Sequence, residues 1–164
     1  MVSGGTKSDC LGDSGYAIQR DLVSFPCLAC SPEYQMTVSI VIPHLNCCAV
    51  LEELLQSIER QVLPPGAEVE VVVVDNGSTD DSVVIAQKAG ARVLQLGCNE
   101  GVSRAFNHGI RASKGEWVAL VNNDVELAPD WLAELHRFLM RGQVWFATGK
   151  VLNYGSRTQV DGAG

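Results

Sequence analysis

The fold is constrained most by a run of four consecutive valines, residues 71–74, which Asp75 follows directly. An uninterrupted β-branched run is typical of a strand that is buried on both faces, as in a parallel sheet. A second apolar run, Trp117–Val121, precedes the polar segment Asn122–Asp124. Because ligands of open α/β sheets gather at the carboxyl ends of the strands, the two polar clusters predict one ligand site at one sheet edge.

Strand and helix patterns alternate from Thr37 onward. The predicted strands are Val38–Ile42 (stopped by Pro43), Val69–Val74, Arg92–Leu96, Trp117–Val121 and Val144–Ala147. The predicted helices are Leu51–Val62, a helix capped by Ser78 or Thr79 that stops at Gly90, Val102–Ala112, and a helix with Pro129 in its first turn that reaches Leu139. This alternation indicates an α/β fold with a mainly parallel sheet flanked by helices.

The first 36 residues lack sustained periodicity, so we expect an irregular or mobile extension before a domain that spans residues 37–164. Cys27 and Cys30 have the spacing of a zinc knuckle. A zinc ribbon needs a second knuckle, and the adjacent pair Cys47 and Cys48 would chelate poorly. We therefore expect ordinary reduced thiols and no bound zinc.

Charge and hydropathy limit the partners. The 164 residues carry a formal net charge of -7, which argues against nucleic acid as the main partner, since phosphate neutralisation needs a basic face. No apolar run approaches the roughly 20 residues that span a bilayer, and the amino-terminal segment lacks the layout of a secretory signal. We expect a cytoplasmic protein, with peripheral membrane association left open.

Both polar clusters suit a nucleotide and a divalent cation. Asp75 can accept a hydrogen bond from a base imide N–H or from ribose hydroxyls, and Gly77 lets backbone approach a ligand. Asp124 can bind Mn²⁺ or Mg²⁺, which need only one or two protein carboxylates when diphosphate oxygens supply the rest. The structural alternatives are an Asx turn at Asn122–Asp124 and, favoured for Asp80, a role in capping the next helix and holding the turn.

The segment between the third predicted strand and the following helix offers further ligand groups. Asn99 and Gly101 stand before the helix and can present amides to an anion. Arg104 could pair with a phosphate or stack on a base, or be a solvated surface residue. His44 and His108 are candidate general bases, although lone histidines usually have other roles.

From Thr37 to about Gly164 the chain closely resembles the nucleotide-binding half of family-2 glycosyltransferases, which have the GT-A fold. The motifs that carry the resemblance are Val38–Asn46, Val74–Asp80, Asn99–Gly101, Asn107–Ile110, Lys114–Trp117 and Asn122–Asp124. Each motif alone is weak, but their order and spacing together are specific.

The resemblance implies transfer of a sugar from a nucleotide diphosphate donor, a UDP- or dTDP-sugar, to an acceptor hydroxyl of a saccharide or other molecule, with inversion. It implies that Asp75 contacts the base, that the loop Pro43–Asn46 lines the nucleotide, and that Asp124 is the metal ligand. The residue patterns and the resemblance together nominate these donor-binding residues: Pro43, His44, Asn46, Asp75, Asn76, Gly77, Asn99, Gly101, Arg104, Asn107, Asn122 and Asn123.

Three departures from the family pattern stand out. Asn122 replaces the first acid of the Asp-x-Asp motif, a variant similar to rhamnosyltransferase-like members. Phe106 stands where many members have Arg. The general base of an inverting transferase lies in a later segment in the family, and nothing after Asp124 resembles it, so we expect a chain truncated at its carboxyl end.

Other classes remain as alternatives or are disfavoured. A binding module that holds a nucleotide sugar without turnover stays open. A sugar-nucleotide nucleotidyltransferase wants a Gly-rich basic loop, which the segment Pro43–Asn46 is not. No Gly-x-Gly-x-x-Gly follows a strand, which disfavours a dehydrogenase, and Gly77 stands where a haloacid-dehalogenase-type phosphatase needs a second Asp.

Overall fold

A computed structural model describes residues 36–140, 145–156 and 160–162. The predicted extension, residues 1–36, lies outside this part of the chain except for Met36, and so do Cys27 and Cys30. Met36 is buried in the core, and its carbonyl oxygen accepts a hydrogen bond from Glu68 N.

One four-stranded parallel sheet organises the fold. Its strands are β1 (Thr37–His44), β2 (Glu68–Asp75), β3 (Arg92–Gln95) and β4 (Trp117–Leu120). The helices are α1 (Cys48–Glu59), α2 (Ser82–Lys88), α3 (Val102–Ala112) and α4 (Trp131–Leu139). The strand order is β3-β2-β1-β4, and every pair in this sheet is parallel, which confirms the predicted α/β architecture.

The valine run is buried on both faces, as its sequence predicts. Val73 belongs to the larger core cluster, which also contains buried side chains of α1, α2 and α4. Val72 and Val74 point to the opposite face, where they pack with Val41 of β1 and Ala105 of α3. Alternation of side chains along β2 therefore supplies both layers of the core.

Gly109 sets the distance between α3 and the sheet. A Cβ placed there would lie 2.2 Å from Val41 Cγ1 and 3.0 Å from Val74 Cγ2. Because protein interiors are close-packed, no side chain larger than hydrogen fits at this position without a shift. The Gly109 motif residue is thus explained by packing rather than by ligand contact.

A polar cluster fixes the turn between α3 and β4. It lies at the amino-terminal ends of the strands, away from the edge where the predicted ligand site lies. Glu70 Oε2 accepts hydrogen bonds from Ser39 Oγ (2.7 Å) and Lys114 N (3.0 Å), and Glu70 Oε1 pairs with Arg92 (3.1 Å). Burial raises the pKa of Glu70, but these hydrogen bonds and the charges of Arg92 and Lys114 outweigh it and lower the pKa. Gly115 packs so tightly that a Cβ would lie 2.5 Å from Ser39 N.

The predicted strand Val144–Ala147 is wrong for its described part. Residues 145–147 form no strand, and Val144 lies outside the described residues. A small antiparallel pair forms later instead, between β5 (Val151–Leu152) and β6 (Val160–Gly162). Trp145 and Phe146 are exposed, so their apolar character does not mark a buried strand here.

Pro43 does not stop the first strand, contrary to the prediction, because β1 continues to His44. Backbone polar groups of alternate strand residues point to the same side, so Pro43 faces β4, as Val41 does. Val121 N donates to Val41 O, and the pairing of β4 ends with Leu120 opposite Val41. The missing N–H of Pro43 therefore costs no ladder hydrogen bond.

Two helix boundaries around the first helix differ from the predictions. α1 ends at Glu59, and Val62, predicted on its buried face, lies beyond it and is 60% exposed. Val62 N donates to Pro129 O, which draws the chain out of the helix toward the segment before α4. Pro129 itself precedes the N-cap Asp130 and is not in the first turn of α4.

The N-cap predicted for the second helix is also wrong. α2 begins at Ser82 with Asp81 as its N-cap, whereas Ser78 and Thr79 form part of the loop before it. Their hydrogen-bonding groups are engaged by another loop: Asn46 N donates to Ser78 Oγ (2.9 Å), and Thr79 N donates to Asn46 Oδ1 (2.9 Å). A tertiary contact replaces the local cap.

Within the described ranges, the helices are all too short or too polar to cross a bilayer.

The packing of α3 can be tested with Gly109→Ala. We expect the added methyl to lower the free energy of unfolding by about 1–3 kcal/mol, because it overpacks the contact with Val41 and Val74. Chemical denaturation measures the change. Ser103→Ala, at an exposed position of the same helix, is the control and should be neutral or slightly stabilising. An unchanged stability of Gly109→Ala would contradict the close packing.

Candidate active site

The carboxyl ends of the strands meet at one edge of the sheet. His44, the last residue of β1, is in register with Asp75, the last residue of β2, and Asp75 is in register with Gln95 of β3. The segment Asn122–Asp124 follows β4 on the other side of β1. The structure thus brings the two polar clusters to the same edge, as the sequence predicts.

Asn76 ties the loop after β2 to the loop after β3. It is 5% exposed, its Nδ2 donates to Asn99 Oδ1 (2.9 Å), and Glu100 N donates to its Oδ1 (2.9 Å). Gly101 N also donates to Asn99 Oδ1 (2.9 Å). Both side-chain amides therefore hold the chain that leads into α3.

Gly77 brings the same two loops into backbone contact. Its φ is +95°, a conformation that favours glycine, and a Cβ there would lie 2.9 Å from Cys98 Cα. The absence of a side chain at Gly77 thus lets the loop that carries Cys98 pack against it, and the predicted approach to a ligand stays a prediction.

Asp80 joins the start of α1 to the start of α2. Its Oδ2 accepts from Cys48 N (3.0 Å), and its Oδ1 accepts from both the backbone N–H (3.1 Å) and the hydroxyl of Ser82. The hydrogen bond from the Ser82 side chain is the largest of the effects that lower the pKa of Asp80. These contacts agree with the structural role that we favoured for Asp80.

His44 is buried between the loops, with 2% of its surface exposed. Its Nε2 lies 2.8 Å from Ser82 Oγ, and its Nδ1 lies 3.0 Å from Asn123 Nδ2. Burial lowers the pKa of His44, and the negative charges of Asp80 and Asp75 oppose that effect only in part. The ring is therefore held neutral, with both nitrogens engaged inside the protein.

Asp75 is buried but keeps hydrogen-bonding capacity. Its Oδ1 accepts from Ser78 N (3.0 Å), which holds the turn after β2. Within the described residues no hydrogen bond engages its Oδ2. A carboxylate can accept several hydrogen bonds, so Asp75 can hold the turn and still accept one from a ligand.

His108, the second candidate general base, is half-buried, with its Nε2 3.4 Å from Glu100 Oε2. The remaining predicted side chains are exposed. They are Arg104, Asn107, Asn122 and Asp124. Within the part of the chain that the structure describes, none of these side chains forms a hydrogen bond or an ion pair. They are the polar groups at this edge that a ligand could engage without displacing an existing partner.

Asp124 borders a cavity of about 410 Å³ beside α1. Glu53 and Arg60 of α1, Glu126 and Tyr154 also line it. Within this lining, Arg60 pairs with Glu126 at 3.8 Å. The predicted metal ligand thus borders an open space whose lining carries three carboxylates and one guanidinium group.

The donor set at Asp124 suits a hard cation with few protein ligands. The described residues contain no cluster of three or more His, Cys, Asp or Glu side chains that could enclose a metal. A carboxylate and a neighbouring amide fit Mg²⁺ or Mn²⁺ that is shared with diphosphate oxygens, because such cations take only one or two protein carboxylates.

Ser82 is the site residue that the sequence analysis missed. It is 1% exposed and lies between His44 and Asp80. Its spacing two residues after Asp80 at a helix start is the available signal, since an Asp side chain often accepts from the backbone two residues later. The long-range contact with His44 has no local signature.

The comparisons with known proteins agree with this geometry. The sequence profile of glycosyl transferase family 2 matches residues 39–162. The chain belongs to this family. A PGL/p-HBAD biosynthesis glycosyltransferase of Mycobacterium bovis is 36% identical over 107 residues, which are 62% of this chain and 41% of that protein. Glycosyltransferase GlyG of Streptococcus pneumoniae is 29% identical over 122 residues, which are 71% of this chain and 40% of that protein.

Two solved structures are similar to this chain over about two thirds of its length. The 1–349 fragment of S. aureus TarS in complex with UDP has a TM-score of 0.59 and 32% identity, over 63% of this chain and 32% of that one. Mannosyltransferase PcManGT from Pyrobaculum calidifontis, in complex with GDP-Man and Mn²⁺, has a TM-score of 0.59 and 28% identity, over 66% and 33% of the two chains. The family-2 chain described here therefore spans only a part of the length of these proteins.

The loop-tying role of Asn76 predicts a large effect of Asn76→Ala. The substitution removes a buried side chain and its two part-buried hydrogen bonds, to Asn99 Oδ1 and from Glu100 N, so the free energy of unfolding should fall by about 1–3 kcal/mol. Chemical denaturation measures it. Asn107→Ala, which removes an exposed amide from the same edge, should change stability by less than about 0.5 kcal/mol. Equal effects of the two substitutions would contradict the assigned role of Asn76.

Proposed function

We propose that the protein transfers a sugar from a nucleotide diphosphate donor to an acceptor hydroxyl with inversion, and that the residues described here form the donor site. The observation that carries the proposal is the arrangement at the carboxyl edge of the sheet. Several loops are tied to one another there by buried side chains, while Asp75, Asn122 and Asp124 keep polar atoms available. A preorganised edge of this kind suits a ligand that spans from β2 to β4.

The base and ribose would lie toward β2. Asp75 has an unengaged carboxylate oxygen that can accept from the imide N–H of uracil or thymine, which adenine lacks. The structure of S. aureus TarS (residues 1–349) was determined with UDP and with UDP-GlcNAc, which supports a uridine donor for this chain. The loop Pro43–Asn46 and the residues Asn99 to Asn107 are proposed to line the same nucleotide.

The diphosphate would lie toward Asp124 and a divalent cation. Glucosyl-3-phosphoglycerate synthase of Mycobacterium tuberculosis, with a TM-score of 0.55 and 28% identity over 66% of this chain, was determined with Mn²⁺ and UDP, which supports a cation here. A bound cation supplies Lewis-acid stabilisation of the charge that develops on the leaving diphosphate. Asp124 would hold it, and Asn122 would bind the ribose or a water of its hydration shell.

The metal assignment predicts that Asp124→Ala abolishes the gain in UDP affinity that Mn²⁺ provides. Its carboxylate is the proposed protein ligand, so its removal takes away the contact through which the cation would link UDP to the protein. Isothermal titration of UDP with and without Mn²⁺ measures this gain. Asp81→Ala is the control, because Asp81 is exposed and its side chain makes no cap hydrogen bond. A retained Mn²⁺ effect in Asp124→Ala would rule out the assignment.

The base contact predicts a loss of selectivity in Asp75→Asn. The amide oxygen can still accept from Ser78 N, so the turn survives, but an NH2 group replaces Oδ2, and the acceptor for an imide N–H is lost. We expect the affinity for UDP and dTDP to fall about 10-fold, in line with the 1.5–3 kcal/mol of a charged hydrogen bond, with little change for ADP. An equal loss for ADP would count against a base contact.

Turnover distinguishes the transferase from the binding module that the sequence leaves open. A transferase releases UDP from its donor when a suitable hydroxyl acceptor is present. A binding module gives the same titrations without release. No residue in the described part is assigned as the general base, so the proposal for this domain concerns donor binding first.

A further inference from the structure

The buried ring of His44 connects the two sides of the candidate site. On one side its Nε2 lies 2.8 Å from Ser82 Oγ, next to the loop that carries Asp75. On the other side its Nδ1 lies 3.0 Å from Nδ2 of Asn123, the residue between Asn122 and Asp124. His44 and Ser82 are 2% and 1% exposed, so water does not compete for these contacts.

Asp80, Ser82, His44 and Asn123 are linked in series by hydrogen bonds, and the side chains at the two ends of the series fix the direction of each one. Asp80 is a carboxylate and can only accept, so the hydroxyl of Ser82 donates to it. Ser82 Oγ must then accept from His44 Nε2–H, which leaves Nδ1 of His44 as an acceptor for the Asn123 amide. The four side chains, Asp80, Ser82, His44 and Asn123, form one continuous series in which each is hydrogen-bonded to the next.

Asn123 provides the side-chain attachment of the segment that carries Asp124. Among the described residues, its contact with His44 is the one side-chain hydrogen bond made by residues 122–124. The nearest backbone attachment is Val121 N, which donates to Val41 O. On the carboxyl side, Val125 packs against the larger core cluster and Leu127 N donates to Ser57 Oγ (3.2 Å). Between these attachments, the hydrogen bond between Asn123 and His44 holds residues 122–124.

We propose that His44 is a positioning residue, which acts through Asn123 to hold Asp124 at the place where it meets the cation and the diphosphate. The effect on cation binding rests on the proposed function, whereas the attachment of Asn123 to His44 does not. His44 does not act as a general base, because both of its nitrogens are engaged and its ring is enclosed. In metal sites, side chains that orient the ligands typically contribute 10-fold to 100-fold in metal affinity.

Two substitutions separate the two contacts of the ring. The amide of an Asn side chain reaches about as far as Nδ1, and that of Gln about as far as Nε2. His44→Asn can therefore keep an acceptor for Asn123, whereas His44→Gln keeps a donor for Ser82 and loses Asn123. Hydrogen exchange of the Val121 amide, which donates to Val41 O directly before the segment, reports on the attachment in the absence of nucleotide.

We expect exchange of the Val121 amide, the last hydrogen-bonded amide before the segment, to be at least about 5-fold faster in His44→Gln than in His44→Asn, with the strand residues 71–74 unchanged in both. Asn123→Ala should reproduce the His44→Gln pattern, and it provides the test if the His44 variants fold poorly. Equal exchange of the Val121 amide in wild type, His44→Gln and Asn123→Ala would overturn the proposal.

Binding then tests the functional consequence. In titrations with UDP, His44→Gln should lose about 10-fold of the Mn²⁺-dependent affinity and keep the metal-free affinity, while His44→Asn stays closer to wild type. An equal loss in both variants, or a loss without Mn²⁺, would contradict positioning through Asn123. If wild type itself shows no Mn²⁺-dependent UDP binding, the proposed function fails, and the exchange experiment still decides the role of His44.

Discussion

The parallel pairing of β1 with β2 is the contact on which the rest of the structure depends. Eight residues of each strand are in register, from Thr37 opposite Glu68 to His44 opposite Asp75. This register buries the valine run on both faces and sets the ends of the two strands at one level. Because β3 and β4 add to the outer sides of this pair, all four strands deliver their following loops to one edge. A slip of one residue would turn Asp75 and His44 to the wrong faces.

At that edge the polar side chains divide into two groups with different roles. One group forms hydrogen bonds with neighbouring loops and so fixes the backbone around the candidate site; its members are His44, Asn46, Asn76 and Asp80. Asp75, Asn122 and Asp124 keep atoms that a donor and a cation can engage. Many residues of the family motifs thus build the scaffold around the candidate site. The motif glycines Gly109 and Gly115 belong to this scaffold too, since each is required by a close contact with β1.

The sequence predicts the fold well because its signals are local and repeated. Four strands, the α/β class, and the meeting of Asp75 with Asn122–Asp124 at one edge follow from periodicity and from the behaviour of parallel sheets. Prediction from the sequence fails where a residue far away in the sequence determines the local structure. Asn46 takes the hydrogen bonds that would have made Ser78 or Thr79 a cap, and the contact of Val62 with Pro129 ends α1 early. The contact between His44 and Ser82 joins residues 38 positions apart, and no local sequence pattern predicts it.

The central claim is that a cation and a nucleotide meet at this edge, beside Asp124 and within reach of Asp75. Paramagnetic broadening of backbone NMR signals by Mn²⁺ in the presence of UDP tests it most directly, because the broadening maps distance from the ion. We expect the strongest loss of signal in residues 122–125, and clear broadening around residues 75–78 that requires UDP. Broadening centred on another acidic region, or the same pattern in Asp124→Ala, would contradict it.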